Sequence, residues 1–195
     1  MAAEQSIRLP MERVGVLVGK DGNIKSEIER RCGVLLEIDG ETGEARVSYS
    51  LAKLEESNPF KAFDIVTAIA RGFSPERAFS LLEDDKILTT MDLREYAGKS
   101  ENAMNRIRSR LIGTDGKARR LIEQLTETLI SIYGHTVAII GDSENSKMAY
   151  EALTKLASGG THKSTYNMLQ KYRSKKKMEK LQLWESQKPP EEREY

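Results

Sequence analysis

Two short stretches constrain the fold of this chain more than any other feature. Gly19-Lys20-Asp21-Gly22 returns ninety-four positions later as Gly113-Thr114-Asp115-Gly116. Each Gly-x-x-Gly comes after an apolar run with helical spacing: Val14, Val16, Leu17 and Val18 before the first, Ile107, Leu111 and Ile112 before the second. Each also opens a second periodic segment, with Ile24 and Ile28 in one copy and Leu121 and Leu125 in the other. Two helices joined through four residues with glycine at both ends turn a tight corner, and the missing Cβ atoms let a bulky group reach the main chain. Amides at the start of the second helix point outward with the positive end of its dipole, an arrangement suited to phosphate.

The segments around these loops repeat as well. Ser6 to Leu9 reads as a short strand ended by Pro10, then a helix over 11–18 and a second helix to about Cys32, with Gly33 at its C′ position. Val34, Leu36 and Ile38 alternate with polar or outward positions, and after a turn over 40–43 Ala45, Val47 and Tyr49 mark a return strand. Asn58-Pro59 starts a helix, with Asn58 as the capping side chain, proline at N1, and Phe60, Phe63, Ile65, Val66 and Ile69 as its apolar positions. Ser74-Pro75 restarts a short helix to Leu82. The same order resumes after the acidic Glu83-Asp84-Asp85: strand 86–93, helix 100–112, the second loop, helix 116–126, strands around Ile130 and Val137–Ile140, and a helix capped by Asp142 and closed by Gly159-Gly160. The chain is an internal duplication. Its class is α/β (α+β), with unit 1 over 1–72, a helical and acidic linker over 73–85, unit 2 over 86–160, and a basic C-terminal helix and disordered tail over 161–195, in which Tyr166, Leu169 and Tyr172 form a docking face.

Charge is balanced in total, with a net +1, but segregated along the chain. Arg106, Arg108, Arg110, Lys117, Arg119 and Arg120 crowd the second loop against Asp115 alone, and a second basic block runs from Lys171 to Lys180. Such patches are the footprint of a polyanion partner. The Lys171–Lys180 block reads either as a solvated helix face or as a source of nonspecific phosphate contacts. Unit 1 is poorer in positive charge, since Lys20 and Lys25 stand against Asp21, Glu27 and Glu29.

Other chemistries find little support. Cys32, the single cysteine, falls four residues after Ile28 and reads as a packed thiol, in keeping with a reducing compartment. His135 and His162 have no companion ligand at metal spacing, so no metal and no cofactor is expected. Gly15-x-x-x-Gly19-Lys20-Asp21 fails the nucleotide-loop pattern, which needs four intervening residues and Ser or Thr after the lysine. With no leader-like or membrane-length apolar run, the expected location is cytoplasmic. A catalytic triad cannot be assembled, and the protein is expected not to be an enzyme.

The order strand-helix-Gly-x-x-Gly-helix-strand-strand-helix resembles a type I KH domain, and both halves resemble it, which implies two tandem KH domains packed as a pseudo-duplicated unit. In KH domains this loop clamps the backbone of about four single-stranded nucleotides while a neighbouring groove reads the bases. The pair, with Gly159-Gly160-Thr161-His162-Lys163-Ser164-Thr165-Tyr166 and Leu183-Trp184-Glu185, is also similar to the archaeal two-KH ribosome-assembly proteins related to the eukaryotic partner-of-Nob family. The eukaryotic relatives have a degenerate first loop, whereas here it is intact. The resemblance implies binding near the 3′ end of small-subunit rRNA and partnership with the PIN-domain endonuclease that trims it, on the pre-ribosomal small subunit. Carried over by position, the RNA-binding residues are Gly19, Lys20, Asp21, Gly22, Gly113, Thr114, Asp115 and Gly116. Lys25, Arg110, Lys117 and Arg120 join them from charge and proximity. Two other readings stay open: a KH subunit of an RNA-degrading complex, and a protein-binding adaptor in which the KH folds serve only as scaffolds.

Overall fold

A computed structural model describes residues 2–50 and 57–187; the Leu183-Trp184-Glu185 side chains and the tail from Lys188 lie outside what it describes. In the first half, β1 (Ala2–Arg8), α1 (Met11–Val18), α2 (Asn23–Cys32), β2 (Leu35–Ile38), β3 (Glu44–Ser50) and α3 (Pro59–Ala70) succeed one another. A short α4 (Pro75–Ala78) comes next. The second half repeats the order as β4 (Ile87–Asp92), α6 (Glu101–Ile112), α7 (Lys117–Thr126), β5 (Leu129–Tyr133), β6 (Thr136–Gly141) and α8 (Ser143–Ala157), with one added turn, α5 (Arg94–Ala97), before α6. A long α9 (His162–Gln187) ends the described chain.

Each half builds a three-stranded antiparallel sheet whose middle strand is the last in sequence: β1-β3-β2 and β4-β6-β5. This is the tandem type I KH arrangement that the loop order implied. The halves correspond residue by residue in sequence around the loop. Glu29 accepts the Leu36 amide at 2.9 Å, and ninety-four positions on Glu123 accepts the Ile130 amide at 2.8 Å. Each carboxylate thus ties the second helix to the strand beside it.

The two cores differ in how many faces they cover. In β3, Ala45 and Val47 are buried while Arg46 is exposed, so that sheet has one packed face and one wet face. Every residue of β6 is buried. Val137 and Ile139 pack under their own helices with Leu111, Ile122 and Leu153. Ala138 and Ile140 instead join the first-half core of Leu17, Ile65, Ile69 and Phe73. The second sheet is therefore sandwiched between its own helices and the first half.

Polar contacts fix that sandwich. Ser131 Oγ donates to the Arg71 carbonyl at 2.9 Å, Arg77 pairs with Glu123 at 3.0 Å, and the Tyr133 hydroxyl donates to Glu12. Arg13 donates from Nε to the Ile69 carbonyl at 2.8 Å and from Nη2 to that of Phe73, and its guanidinium lies 5.8 Å from the Tyr133 ring centre. A Cβ on Gly72 would sit 2.7 Å from Tyr133 Cβ, so only glycine lets the strand come this close. Within 73–85, Phe73, Ala78 and Leu81 are buried in the first core, whereas Glu83, Asp84 and Asp85 are exposed.

Two local expectations are corrected. Asn58 precedes Pro59 at N1, but its side chain makes no cap; its main-chain carbonyl accepts the Ala62 amide instead, at 3.0 Å. Phe60 is 63% exposed rather than inward, because the buried stripe runs Ala62, Ile65, Val66, Ile69 and Phe60 lies on the opposite side of the helix. The packed reading of Cys32 holds: the thiol is buried and free, and burial raises its pKa.

Candidate nucleic-acid interface

The two Gly-x-x-Gly loops share one backbone path. Gly19 has φ 74°, ψ 179° and Gly113 φ 70°, ψ 175°; Gly22 has φ 77°, ψ 13° and Gly116 φ 73°, ψ 15°. Between them Asp21 and Asp115 take the left-handed conformation at φ 54° and 51°, which aspartate tolerates better than most residues. Within each loop the two glycines have different reasons to be glycine. The first occupies a region open almost solely to glycine, and a Cβ there would meet Ile24 Cγ1 at 2.5 Å or the Ala118 amide nitrogen at 2.9 Å. The second needs positive φ but faces space: nothing stands within 4 Å of a Cβ on Gly22, and only Arg120 Nη1, at 3.7 Å, near one on Gly116. One glycine seats the loop on the next helix, and the other keeps the approach to it open.

The helix after each loop starts on the loop's own main chain: the Asn23 amide donates to the Lys20 carbonyl and the Lys117 amide to that of Thr114. Neither α2 nor α7 has a side-chain N-cap, so the amides of the first turn are not screened by a hydroxyl or carboxylate of their own chain. Thr114 and Asp115 are exposed at the tip in the second copy, as are Lys20 and Asp21 in the first.

Charge separates the copies. Of the six basic residues around the second loop, three are engaged. Arg108 donates to the Gly134 carbonyl at 3.2 Å and to Asn105, and Arg119 lies 3.8 Å from Glu123. Arg110 donates to the carbonyls of Gly159, at 3.2 Å, and Gly160. Its guanidinium is thus committed to the corner between α8 and α9, a duty that proximity to the loop did not reveal. Lys117 and Arg120 are exposed on the first turn of α7, and among the described residues neither has an ion-pair partner. Arg106, exposed one helical turn before Arg110, is a third such cation; it belonged to the basic cluster in the sequence but was not singled out.

The first copy carries Asn23 and Ser26 where the second has Lys117 and Arg120, and Val16 in place of Arg110. Lys25 lies 3.9 Å from Glu29, which offsets its charge, leaving Lys20 as the exposed cation of that loop. The same cradle is therefore electropositive in one half and nearly neutral in the other.

The C-terminal helix flanks this site. Thr165 and Leu169 are buried against α7 and α8, and the Tyr172 hydroxyl donates to Asn145 Oδ1 at 2.8 Å. Burial first, and then the nearby Glu144, push the Tyr172 pKa up to about 12. At the near end His162 Nδ1 lies 3.0 Å from the Tyr166 hydroxyl, and its pKa is lowered by burial and by the Arg110 guanidinium. The docking face expected of Tyr166, Leu169 and Tyr172 is the one observed.

Similarity to known proteins agrees with this geometry. A family model described as a eukaryotic-type KH domain (KH-domain type I), the second of PNO1, matches residues 87–174. A KH domain-containing protein of Methanocaldococcus jannaschii is 43% identical over 91% of this chain and 78% of its own length. The pre-rRNA-processing protein PNO1 of Chaetomium thermophilum is 34% identical, over 65% of this chain and 50% of its own. A solved complex of a/eIF2alpha, aDim2p and rRNA from Pyrococcus horikoshii contains a chain 39% identical to this one, with a TM-score of 0.82 over 89% of this chain and 96% of that one.

Proposed function

Because the chain belongs to the Dim2p/PNO1 family of KH-domain proteins, we propose that it is a single-stranded RNA-binding factor of small-subunit ribosome assembly. It holds RNA near the 3′ end of the small-subunit rRNA and presents it to a separate PIN-domain endonuclease. One observation carries this reading: the second Gly-x-x-Gly opens an uncapped helix whose first turn bears Lys117 and Arg120, exposed and without ion-pair partners among the described residues. Backbone phosphates lie along that loop, and bases enter the groove beside it. The first copy keeps the loop with little charge, so the second supplies most of the affinity.

The test is binding of a labelled RNA matching the 3′ end of the organism's small-subunit rRNA, beside an unrelated single strand of equal length, across a salt series. Selective binding is expected, with log affinity falling against log salt at a slope near −2 for about three phosphate contacts. Addition of the endonuclease should then give a cut whose position depends on the bound protein. Equal binding of both RNAs would remove the rRNA assignment, and an unchanged cleavage pattern would remove the presenting role.

A further inference from the structure

Arg110 stands in the last turn of α6, three residues before Gly113, yet its guanidinium faces the end of α8. Nη2 donates to the Gly159 carbonyl at 3.2 Å and to that of Gly160. These carbonyls lie just past the C-terminal end of α8, where the helix dipole favours a cation. Nε is buried and has no acceptor among the described residues. A buried donor without an acceptor costs stability. Packing alone would be served better by an apolar side chain, such as Val16 at the equivalent position of the first half. The arginine is there to hold something in place.

What it holds is the corner from which α9 departs. That corner has little freedom of its own. The Gly159 amide donates to the Leu156 carbonyl at 3.1 Å and the Gly160 amide to that of Lys155 at 2.8 Å. A Cβ on Gly160 would lie 2.7 Å from the Lys155 carbonyl oxygen. From the corner α9 runs over α7 and α8, burying Thr165 and Leu169. One element thus braces both arms of the second Gly-x-x-Gly: α6 is tied to it through Arg110, and α7 packs along it. The first half is built otherwise. There Arg13 donates to the carbonyls of Ile69 and Phe73, but it stands six residues before Gly19, and α3 gives way to the short α4 rather than to a long helix.

On the reading that the second loop holds single-stranded RNA, we infer that Arg110 is a positioning residue for that loop. By locking the last turn of α6 to the corner between α8 and α9, it keeps the loop in its RNA-binding geometry and makes no phosphate contact itself. Affinity rises because the loop is already ordered when RNA arrives. Such a coupling is reciprocal, so RNA on the loop steadies the corner in turn.

The experiment uses the full chain and one labelled single strand matching the 3′ end of the organism's small-subunit rRNA, read by anisotropy across a salt series. Arg110→Met keeps the aliphatic stem and removes the donors. Gly160→Ala disturbs the corner without changing any charge, and Thr114→Asp is the loop control. Arg110→Met and Gly160→Ala should each weaken binding by about tenfold while keeping the wild-type salt slope. A direct phosphate contact would instead make the Arg110→Met slope shallower by about 0.7 and leave Gly160→Ala at wild-type affinity, which overturns the inference. Wild-type affinity in Arg110→Met, with only a lower urea midpoint, makes the residue purely structural and overturns it as well. Hydrogen exchange on the wild-type protein needs no variant to fold: bound RNA should slow the Gly159 and Gly160 amides, and unchanged exchange there refutes the coupling. Thr114→Asp should weaken binding. If it does so while Arg110→Met binds as wild type, the loop reading stands and the inference falls; if it does not, the loop reading fails and takes the inference with it.

Discussion

The two glycines of the second loop should respond very differently to alanine. At Gly113 the backbone, φ 70° and ψ 175°, lies where essentially only glycine is found, at a cost of about 1–3 kcal/mol for another residue. A Cβ there would also stand 2.7 Å from Ala118 Cβ and 2.9 Å from its amide nitrogen. Neither atom can swing aside as a long side chain would, so crowding adds about 1–3 kcal/mol. Gly113→Ala should therefore lose about 2–6 kcal/mol, a large share of the roughly 5–15 kcal/mol typical of a domain. Gly116, at φ 73° and ψ 15°, carries only the left-handed penalty of about 1–2 kcal/mol. Urea unfolding tracked by circular dichroism measures both, and RNA binding by anisotropy is read on whichever variant stays folded. Gly116→Ala should remain folded and lose RNA, while Gly113→Ala should lose stability first. A Gly113→Ala protein within about 1 kcal/mol of wild type, or equal losses for the two, would refute this division of labour. Substituting both glycines is for that reason a poor probe of RNA binding, and the exposed Thr114 a better one.

The packing sets further expectations. Leu169→Ala empties a fully buried site between α7, α8 and α9 and should cost about 2–5 kcal/mol, with hydrogen exchange rising first in α9. Glu123→Ala removes the acceptor of the Ile130 amide and the partner of Arg77, leaving a donor unsatisfied, and should cost about 1–3 kcal/mol in urea unfolding. Tyr172 stays protonated in the fold to about pH 12 against an ordinary value near 10. Its contribution is thus full below about pH 10 and lost as pH rises from about 10 to 12, since the unfolded chain ionises first. Burial also raises Tyr133, Tyr150 and Tyr166, so tyrosinate absorbance should show several late-titrating groups, of which Tyr172→Phe removes the last.

Most of this fold is written locally in the chain. Gly33, in the left-handed conformation at φ 64°, announces the end of α2, and Asp142 accepts the Asn145 amide at 2.8 Å as its position before α8 suggested. The equivalent end of α7 is set by Glu127 at φ 54°, a residue type that gives no such warning. The packing of the halves was also encoded, but in a pattern that is easy to misread. Ala45-Arg46-Val47 alternates because one face is wet, whereas Val137-Ala138-Ile139-Ile140 is apolar throughout because both faces are covered. Ser131 looks like a solvent-side residue by alternation and is buried against Arg71, since its exposure depends on a partner more than fifty residues away. Within the candidate site, the spacing located the two loops between helices, and Lys117 and Arg120, chosen from charge and proximity, are exposed beside the second. The engagement of Arg110 with Gly159 and Gly160 depends on how the chain returns after α8, which local sequence does not specify.

The proposed function requires that the second loop, and not the first, supply most of the RNA affinity. Paired substitutions at equivalent exposed positions, Lys20→Asp and Thr114→Asp, decide this through anisotropy of one labelled single strand. Thr114→Asp is predicted to weaken binding by about tenfold or more and Lys20→Asp by about threefold or less, with unfolding midpoints unchanged in both. Binding that survives Thr114→Asp, or that falls further with Lys20→Asp, would contradict that assignment.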